Sequence, residues 1–243
     1  MNRKLDKPEY VGASVRGPSN AARKNLKQDA WDVFHRRWGT LGIVCDGLGS
    51  KPKSRLGALA ACLAVKDMVN QVDQMNSLAN LESHLNSIEQ NWLDRIHPHT
   101  PNDCMTTCLF SLYTEEGWFG AQLGDGFLGA LLTDGNIVTC APDAELTFNL
   151  THGLGDFSQV KTWRIFGPLP ANDVHSFILA TDGVSDDILL ENYPMLLEEL
   201  VKEYQPLIQM KRYQLLRREL WDWPTPHHLD DKTLLALWST KST

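Results

Sequence analysis

Four places in this sequence set an acidic side chain at the end of an apolar stretch. They are Ile43-Val44-Cys45-Asp46-Gly47, Gln122-Leu123-Gly124-Asp125-Gly126, Leu179-Ala180-Thr181-Asp182-Gly183 and His228-Leu229-Asp230-Asp231-Lys232-Thr233. A carboxylate at such a place is costly to bury unless it has a charge partner or a metal ion. Each Asp-Gly pair also makes a favoured hairpin turn, so one alone says little. Several strand ends gathered at one edge would instead form a cluster of hard oxygen donors, the kind that suits Mg²⁺ or Mn²⁺.

The other chemistry-bearing residues form no comparable pattern. Cys104 and Cys108 have no matching Cys or His pair nearby for zinc, and the five cysteines (Cys45, Cys62, Cys104, Cys108, Cys140) have no regular disulfide spacing. They read as buried thiols. No Gly-x-x-x-x-Gly-Lys-Ser/Thr phosphate loop occurs. The net charge of −7 and pI of about 5.6 argue against a general nucleic-acid or anionic-membrane binder. No apolar run approaches the ~18 residues of a membrane span, and the polar first ten residues lack a signal-peptide core. A cytoplasmic location is the expectation. Of the 243 residues, 42% are hydrophobic, enough for a sizeable core.

The elements that must position the aspartates follow from periodicity. Residues 10–15, 31–35 and 40–45 read as strands, the last a buried strand running into Asp46-Gly47. Leu56, Leu59, Ala60, Leu63, Ala64 and Met68 recur at helical spacing. A second helix extends from a Ser77 cap to Ile96, with Leu81, Leu85, Ile88 and Trp92 as its stripe. Residues 105–113, 118–123, 127–132 and 137–140 alternate with Gly-containing turns as a β meander. Residues 141–174 are irregular, with one strand over 160–166. A strand over 175–181 leads to Asp182-Gly183, helices follow over 184–204 (broken near Pro194) and 207–221, and 233–238 is the last strand. Strands joined by short turns make antiparallel sheets, and two helical pairs with apolar stripes must cover them. The expected fold is α+β, a four-layer α-β-β-α sandwich of two mostly antiparallel sheets flanked by helices. It is read as a single domain over 1–243, with its core at about 10–238.

The ordered set Asn25-Leu26-Lys27-Gln28-Asp29-Ala30, Val44-Cys45-Asp46-Gly47-Leu48-Gly49, Met105-Thr106-Thr107-Cys108, Leu123-Gly124-Asp125-Gly126, Ala180-Thr181-Asp182-Gly183-Val184-Ser185-Asp186 and Asp230-Asp231-Lys232-Thr233 resembles the motifs of type 2C metal-dependent protein phosphatases, most of all their bacterial branch. The resemblance implies the same four-layer fold, and it implies roles. Asp46 would bridge two Mn²⁺ or Mg²⁺ ions, with the Gly47 carbonyl as a further ligand. Asp182 and Asp230 would complete the second ion's site, although Asp231 next door could be the ligand instead. Asp29 would orient metal-bound water, Asp125 and Asp186 match positions for a third, weaker ion, and Thr106 and Thr107 would support the site. The implied reaction is hydrolysis of a phosphomonoester by a metal-bridging hydroxide, with no covalent intermediate.

The pattern departs from the family in places. Leu48 stands where eukaryotic relatives often have His, so the general acid is open, with His152, His227 and His228 as candidates. The phosphate-binding cation falls among Lys24, Arg23 and Arg16. A mobile flap is expected within 141–174, where Gly153, Gly155 and Gly167 permit motion. Trp221 and Trp223 either pack the last helix or form a docking surface. The expected function is a serine/threonine phosphoprotein phosphatase acting on the target of a cognate kinase, with no nucleic-acid or membrane partner. The alternatives are a non-catalytic binding module that keeps the fold, or a phosphatase of small-molecule phosphoesters.

Overall fold

The computed structural model describes residues 7–71, 77–140, 153–157, 163–224 and 229–239. Strands β1 (Glu9–Val15), β6 (Phe127–Leu132), β7 (Ile137–Thr139), β9 (Val174–Ala180) and β10 (Lys232–Trp238) form one sheet in the order β1-β10-β9-β6-β7. Strands β2 (Ala30–His35), β3 (Gly39–Cys45), β4 (Cys108–Thr114), β5 (Gly117–Leu123) and β8 (Arg164–Leu169) form the other, in the order β2-β3-β4-β5-β8. Every pairing is antiparallel. The helices are α1 (Pro18–Ala22), α2 (Ser54–Gln71), α3 (Leu78–Ile96), α4 (Asp182–Ser185), α5 (Tyr193–Tyr204) and α6 (Gln209–Trp221).

The layers follow from the two-residue period of the strands. On β3, Ile43 and Cys45 pack under α2 and α3, while Val44 faces the other sheet. On β10, Leu234 and Ala236 pack under α5 and α6, while Leu235 and Leu237 face inward. The inner layer is largely aliphatic with an aromatic centre, where Trp118 and Phe177 stack across the two sheets at 5.1 Å. This is the α-β-β-α sandwich that the periodicity and the resemblance predict.

Several boundaries differ from the sequence reading. On α2 the expected stripe is buried at Ala60, Ala64 and Met68, but Leu59 and Leu63 are 45% and 41% exposed, and Gly57, Ala58, Ala61 and Val65 share the buried face. Close approach is the reason. A Cβ on Gly57 would lie 1.7 Å from the Cys104 carbonyl oxygen, and the Gly57 carbonyl accepts from Trp92 Nε1 at 2.9 Å. Small residues therefore take the inward face and the leucines are turned out. The α3 stripe is buried as expected, and the Ser77 side chain caps its first turn by accepting from the Asn80 N–H. Strand β4 starts only at Cys108, because Thr106 instead bridges to Gly47 and Leu154. The helical break expected near Pro194 is present, between α4 and α5, and Pro194 itself sits in the first turn of α5, as its missing N–H favours. Of the strand expected over 160–166, residues 160–162 lie outside the described residues, and the observed strand runs from Arg164 to Leu169. Among the described residues no helix is long and apolar enough to cross a membrane.

Candidate metal-binding active site

Register brings the predicted aspartates to one end of both sheets. Ala30 pairs with Cys45, so Asp29 just before β2 and Asp46 just after β3 are neighbours. Leu234 pairs with Ala180, so the end of β9 and the start of β10 deliver Asp182 and Asp230 to the matching edge of the other sheet. Phe127 also pairs with Ala180, which sets the Gly124-Asp125-Gly126 turn on that same edge.

Asp46 is the centre of this group. Its backbone is clamped by the threonine pair: its N–H donates to Thr107 Oγ1 at 3.0 Å, and its carbonyl accepts from Thr106 Oγ1 at 2.7 Å and from the Thr107 N–H at 2.8 Å. The residue keeps some open surface, but its carboxyl is packed deep. Burial, followed by the charges of Asp29, Asp182 and Asp230, pushes that carboxyl well above the ordinary carboxylate range. Asp29 is 3% exposed. Its Oδ2 accepts from Thr181 Oγ1 at 3.0 Å and Thr233 Oγ1 at 2.6 Å, while its buried Oδ1 has no hydrogen-bond partner among the described residues. Burial and then the Asp231 charge raise its pKa to about 7, against the Thr233 hydrogen bond and Lys27.

Asp230 and Asp231 do different work. Asp231 is 1% exposed and spends both oxygens on backbone, with Oδ1 accepting from the Gly17 N–H at 2.7 Å and Oδ2 from the Gln28 N–H at 2.5 Å. It ties the chain's first loop to β10. Asp230 is the member of the pair that raises the Asp46 carboxyl, and its Oδ2 borders Gly49.

The chemistry of the set fits a hard divalent cation. Its members are oxygen donors, they repel one another, and one buried carboxylate oxygen lacks a donor. Yet among the described residues no group of three or more His, Cys, Asp or Glu side chains is arranged to hold a metal ion outright. Local geometry is one reason: Asp182 Oδ1 turns onto the Gly183 N–H at 2.6 Å, and Asp230 Oδ1 onto the Asp231 N–H at 2.8 Å.

The remaining candidates sit further out. Asp125 and Asp186 are exposed on the rim, where the Asp186 charge acts on Tyr193 and Tyr193 stacks on Phe127. Arg16, Arg23 and Lys24 are exposed and form no ion pair among the described residues; Arg16 Nη1 donates to the Asn25 carbonyl at 3.2 Å. His152, His227 and His228, and half of the expected flap (141–152 and 158–162), lie outside the described residues.

Sequence reasoning passed over two lysines. Lys27 Nζ donates to Ser14 Oγ and the Asp29 carbonyl, both at 2.6 Å. Lys232 is 2% exposed, lies 3.4 Å from the Asp230 carbonyl, and interacts with Asp187, Asp230, Asp231 and Asp182. Burial lowers the pKa of both. Their signal was visible, since each lysine lies two residues from a predicted metal aspartate.

Comparison with known proteins agrees with the geometry. No curated protein sequence matches the chain. Among solved structures, the serine/threonine phosphatase Stp1 from Staphylococcus aureus superposes with a TM-score of 0.68 at 16% identity, covering 99% of each chain. The Mycobacterium tuberculosis serine/threonine phosphatase PstP/Ppp gives 0.65 at 16% identity, over 96% of this chain and 99% of that one. The catalytic domain of PstP in complex with two manganese ions gives 0.64 at 16% identity, with the same coverage. The family profile described as Protein phosphatase 2C matches residues 16–223. That profile spans the whole β2-β3-β4-β5-β8 sheet, strands β6, β7 and β9 of the other, and the carboxylates Asp29, Asp46, Asp125, Asp182 and Asp186, and the chain belongs to the protein phosphatase 2C family.

Proposed function

We propose that this metal-dependent serine/threonine phosphatase works through Asp46, Asp182 and Asp230 as direct ligands of two Mn²⁺ or Mg²⁺ ions, with the whole 243-residue fold acting as one catalytic domain. The observation that carries this reading is the convergence of Asp29, Asp46, Asp182 and Asp230, contributed by both sheets, around one deeply packed carboxyl. The two manganese ions held by PstP, a structural neighbour, support the count of two.

When bound, such a pair supplies charge neutralisation and a water of lowered pKa for in-line displacement at phosphorus. The chain's own residues then have separable tasks. Asp46 stands between the two sheets, and the Gly47 carbonyl follows it. Asp29, held by Thr181 and Thr233, would orient the nucleophilic water. Thr106 and Thr107 fix the Asp46 backbone. Asp125 and Asp186 on the rim would serve a third, weaker ion. Arg16, at the site end of β1, is the first choice to grip the substrate phosphate, because a guanidinium can bind it bidentately; Arg23 and Lys24 are the alternatives. The substrate is a phosphorylated protein, and the expectation is a cytoplasmic target of a serine/threonine kinase.

The test is turnover of p-nitrophenyl phosphate and of a phosphothreonine peptide with and without Mn²⁺. Asp46→Asn and Asp182→Asn should each abolish activity while leaving the protein folded. Folded native protein with no Mn²⁺-dependent turnover of either substrate would falsify the proposal.

A further inference from the structure

Helix α6 has two faces. Arg212, Leu216 and Leu220 are buried against the fold, where Arg212 pairs with Glu9 and donates to the carbonyls of Tyr204 and Gln205 at 2.7 Å. Met210, Tyr213, Gln214, Arg217, Arg218 and Trp221 recur three and four apart and so form one outward stripe. Met210 and Trp221 are each 64% exposed. Gln214, Arg217, Arg218 and Trp221 line a cavity of about 230 Å³. Trp, Tyr, Met and Arg are the types enriched at the centres of protein interfaces, and grouped exposure of this kind marks a contact surface.

Charge and position narrow the occupant. The chain carries −7 overall, yet this stripe is basic. Arg218 leans toward Asp222 at 3.6 Å, and Arg217 forms no ion pair among the described residues. Two copies meeting symmetrically on this face would set arginine against arginine, whereas an acidic partner would not. Trp221 and Trp223 part company here. Trp223 turns inward, and its Nε1 donates to Asp187 Oδ2 at 3.1 Å, one residue beyond Asp186. The end of the stripe therefore abuts the segment that carries Asp182 and Asp186. From there it runs about 16 Å along the helix, which an extended peptide covers in about five residues.

We propose that this stripe docks an acidic segment of the phosphoprotein substrate, with an apolar side chain in the cavity beside Trp221 and carboxylates on Arg217 and Arg218. The inference rests on the phosphatase reading above and adds a substrate class to it: phosphoproteins with an acidic, apolar-anchored stretch close to the phosphoresidue.

Steady-state kinetics test it with p-nitrophenyl phosphate, a short phosphothreonine peptide, and that peptide extended at either end by a Glu-rich segment containing Leu and Phe. In the native protein one extension should lower KM by about tenfold, the equivalent of 1.4 kcal/mol. Arg217→Glu and Trp221→Ala should return that KM to the short peptide's value, with p-nitrophenyl phosphate turnover unchanged. An extension that leaves KM alone, a Lys-rich extension that works equally well, or variants that keep the advantage would each overturn the docking site. So would a dimer in sedimentation velocity that Trp221→Ala dissolves, since the face would then belong to a second copy. Absence of all turnover by folded protein is the failure of the phosphatase reading instead. Calorimetric titration with the Glu-rich segment alone then decides the docking site separately, because its binding must still be lost in Arg217→Glu.

Discussion

At the scale of single residues, the site is a set of carboxylates held where carboxylates are expensive. Asp29 shows the consequence most directly, because its two ends of titration are far apart: 3.8 as an ordinary side chain, about 7 in the folded chain. Between those values the folded state binds a proton that the unfolded state has already released. Stability therefore falls as pH rises through this window. Asp46, raised by burial and by three neighbouring carboxylates, acts in the same direction. In chelator, urea unfolding should give a lower midpoint at pH 8 than at pH 5. Asp29→Asn should flatten that difference, and Mn²⁺ at pH 8 should restore the native protein's midpoint, because a cation replaces the missing protons. A native midpoint that rises with pH in chelator would contradict the assignment. Lys27 and Lys232 offset part of the repulsion among the carboxylates, since each ammonium interacts electrostatically with the aspartates, while Lys27 donates to the Asp29 carbonyl and Ser14 and Lys232 to the Asp230 carbonyl.

At the scale of elements, the edge of the site depends on very close backbone approaches. The start of α4 lies against the start of β10: a Cβ on Gly183 would sit 2.0 Å from the Asp231 carbonyl oxygen. Gly183→Ala must drive the two apart, and with them Asp182 and Asp230. Overpacking of this kind costs about 1–3 kcal/mol, but the displacement matters more for rate, where about 1 Å can cost about 100-fold. The expected result is a phosphatase rate reduced by about two orders of magnitude in a protein that still unfolds cooperatively. A variant with native turnover would show that this contact does not position the aspartates. The same logic applies to α2. Leucines at helical spacing suggested the inward side, yet at Gly57 the Cys104 carbonyl comes too near for any side chain, and Leu59 and Leu63 are turned out.

At the scale of the whole molecule, the two sheets have to be held together for carboxylates from both to meet. Phe177 on β9 stacks on Trp118 of β5 at 5.1 Å and on Phe166 of β8 at 5.5 Å, and it is fully buried. Phe177→Ala should destabilise the protein by about 3–5 kcal/mol, the usual cost of emptying an aromatic core position. Because β9 delivers Asp182 and β3 delivers Asp46, Mn²⁺ affinity measured by calorimetry should weaken in the same variant, even under conditions where it remains folded. Unchanged affinity would mean that the strand ends keep their spacing without this stack.

The sequence alone determined the layer order, the approximate run of strands and helices, and the strand-end Asp motifs that gather at one edge. Two-residue and 3.6-residue periods report which faces are buried, and ordered Asp-Gly motifs survive as strings regardless of packing. Tertiary structure decided what strings cannot carry. Whether Asp230 or Asp231 faces the cluster depends on which carboxylate the Gly17 and Gln28 N–H groups have already claimed, more than 200 residues away in the chain. Which side of α2 is buried depends on a carbonyl from another element. Trp221 and Trp223 read alike as letters, yet Trp223 packs against the fold with its indole N–H on Asp187 and Trp221 is exposed. Adjacent residues differ little in composition or period, so their separate roles arise only when distant backbone and charge are brought beside them.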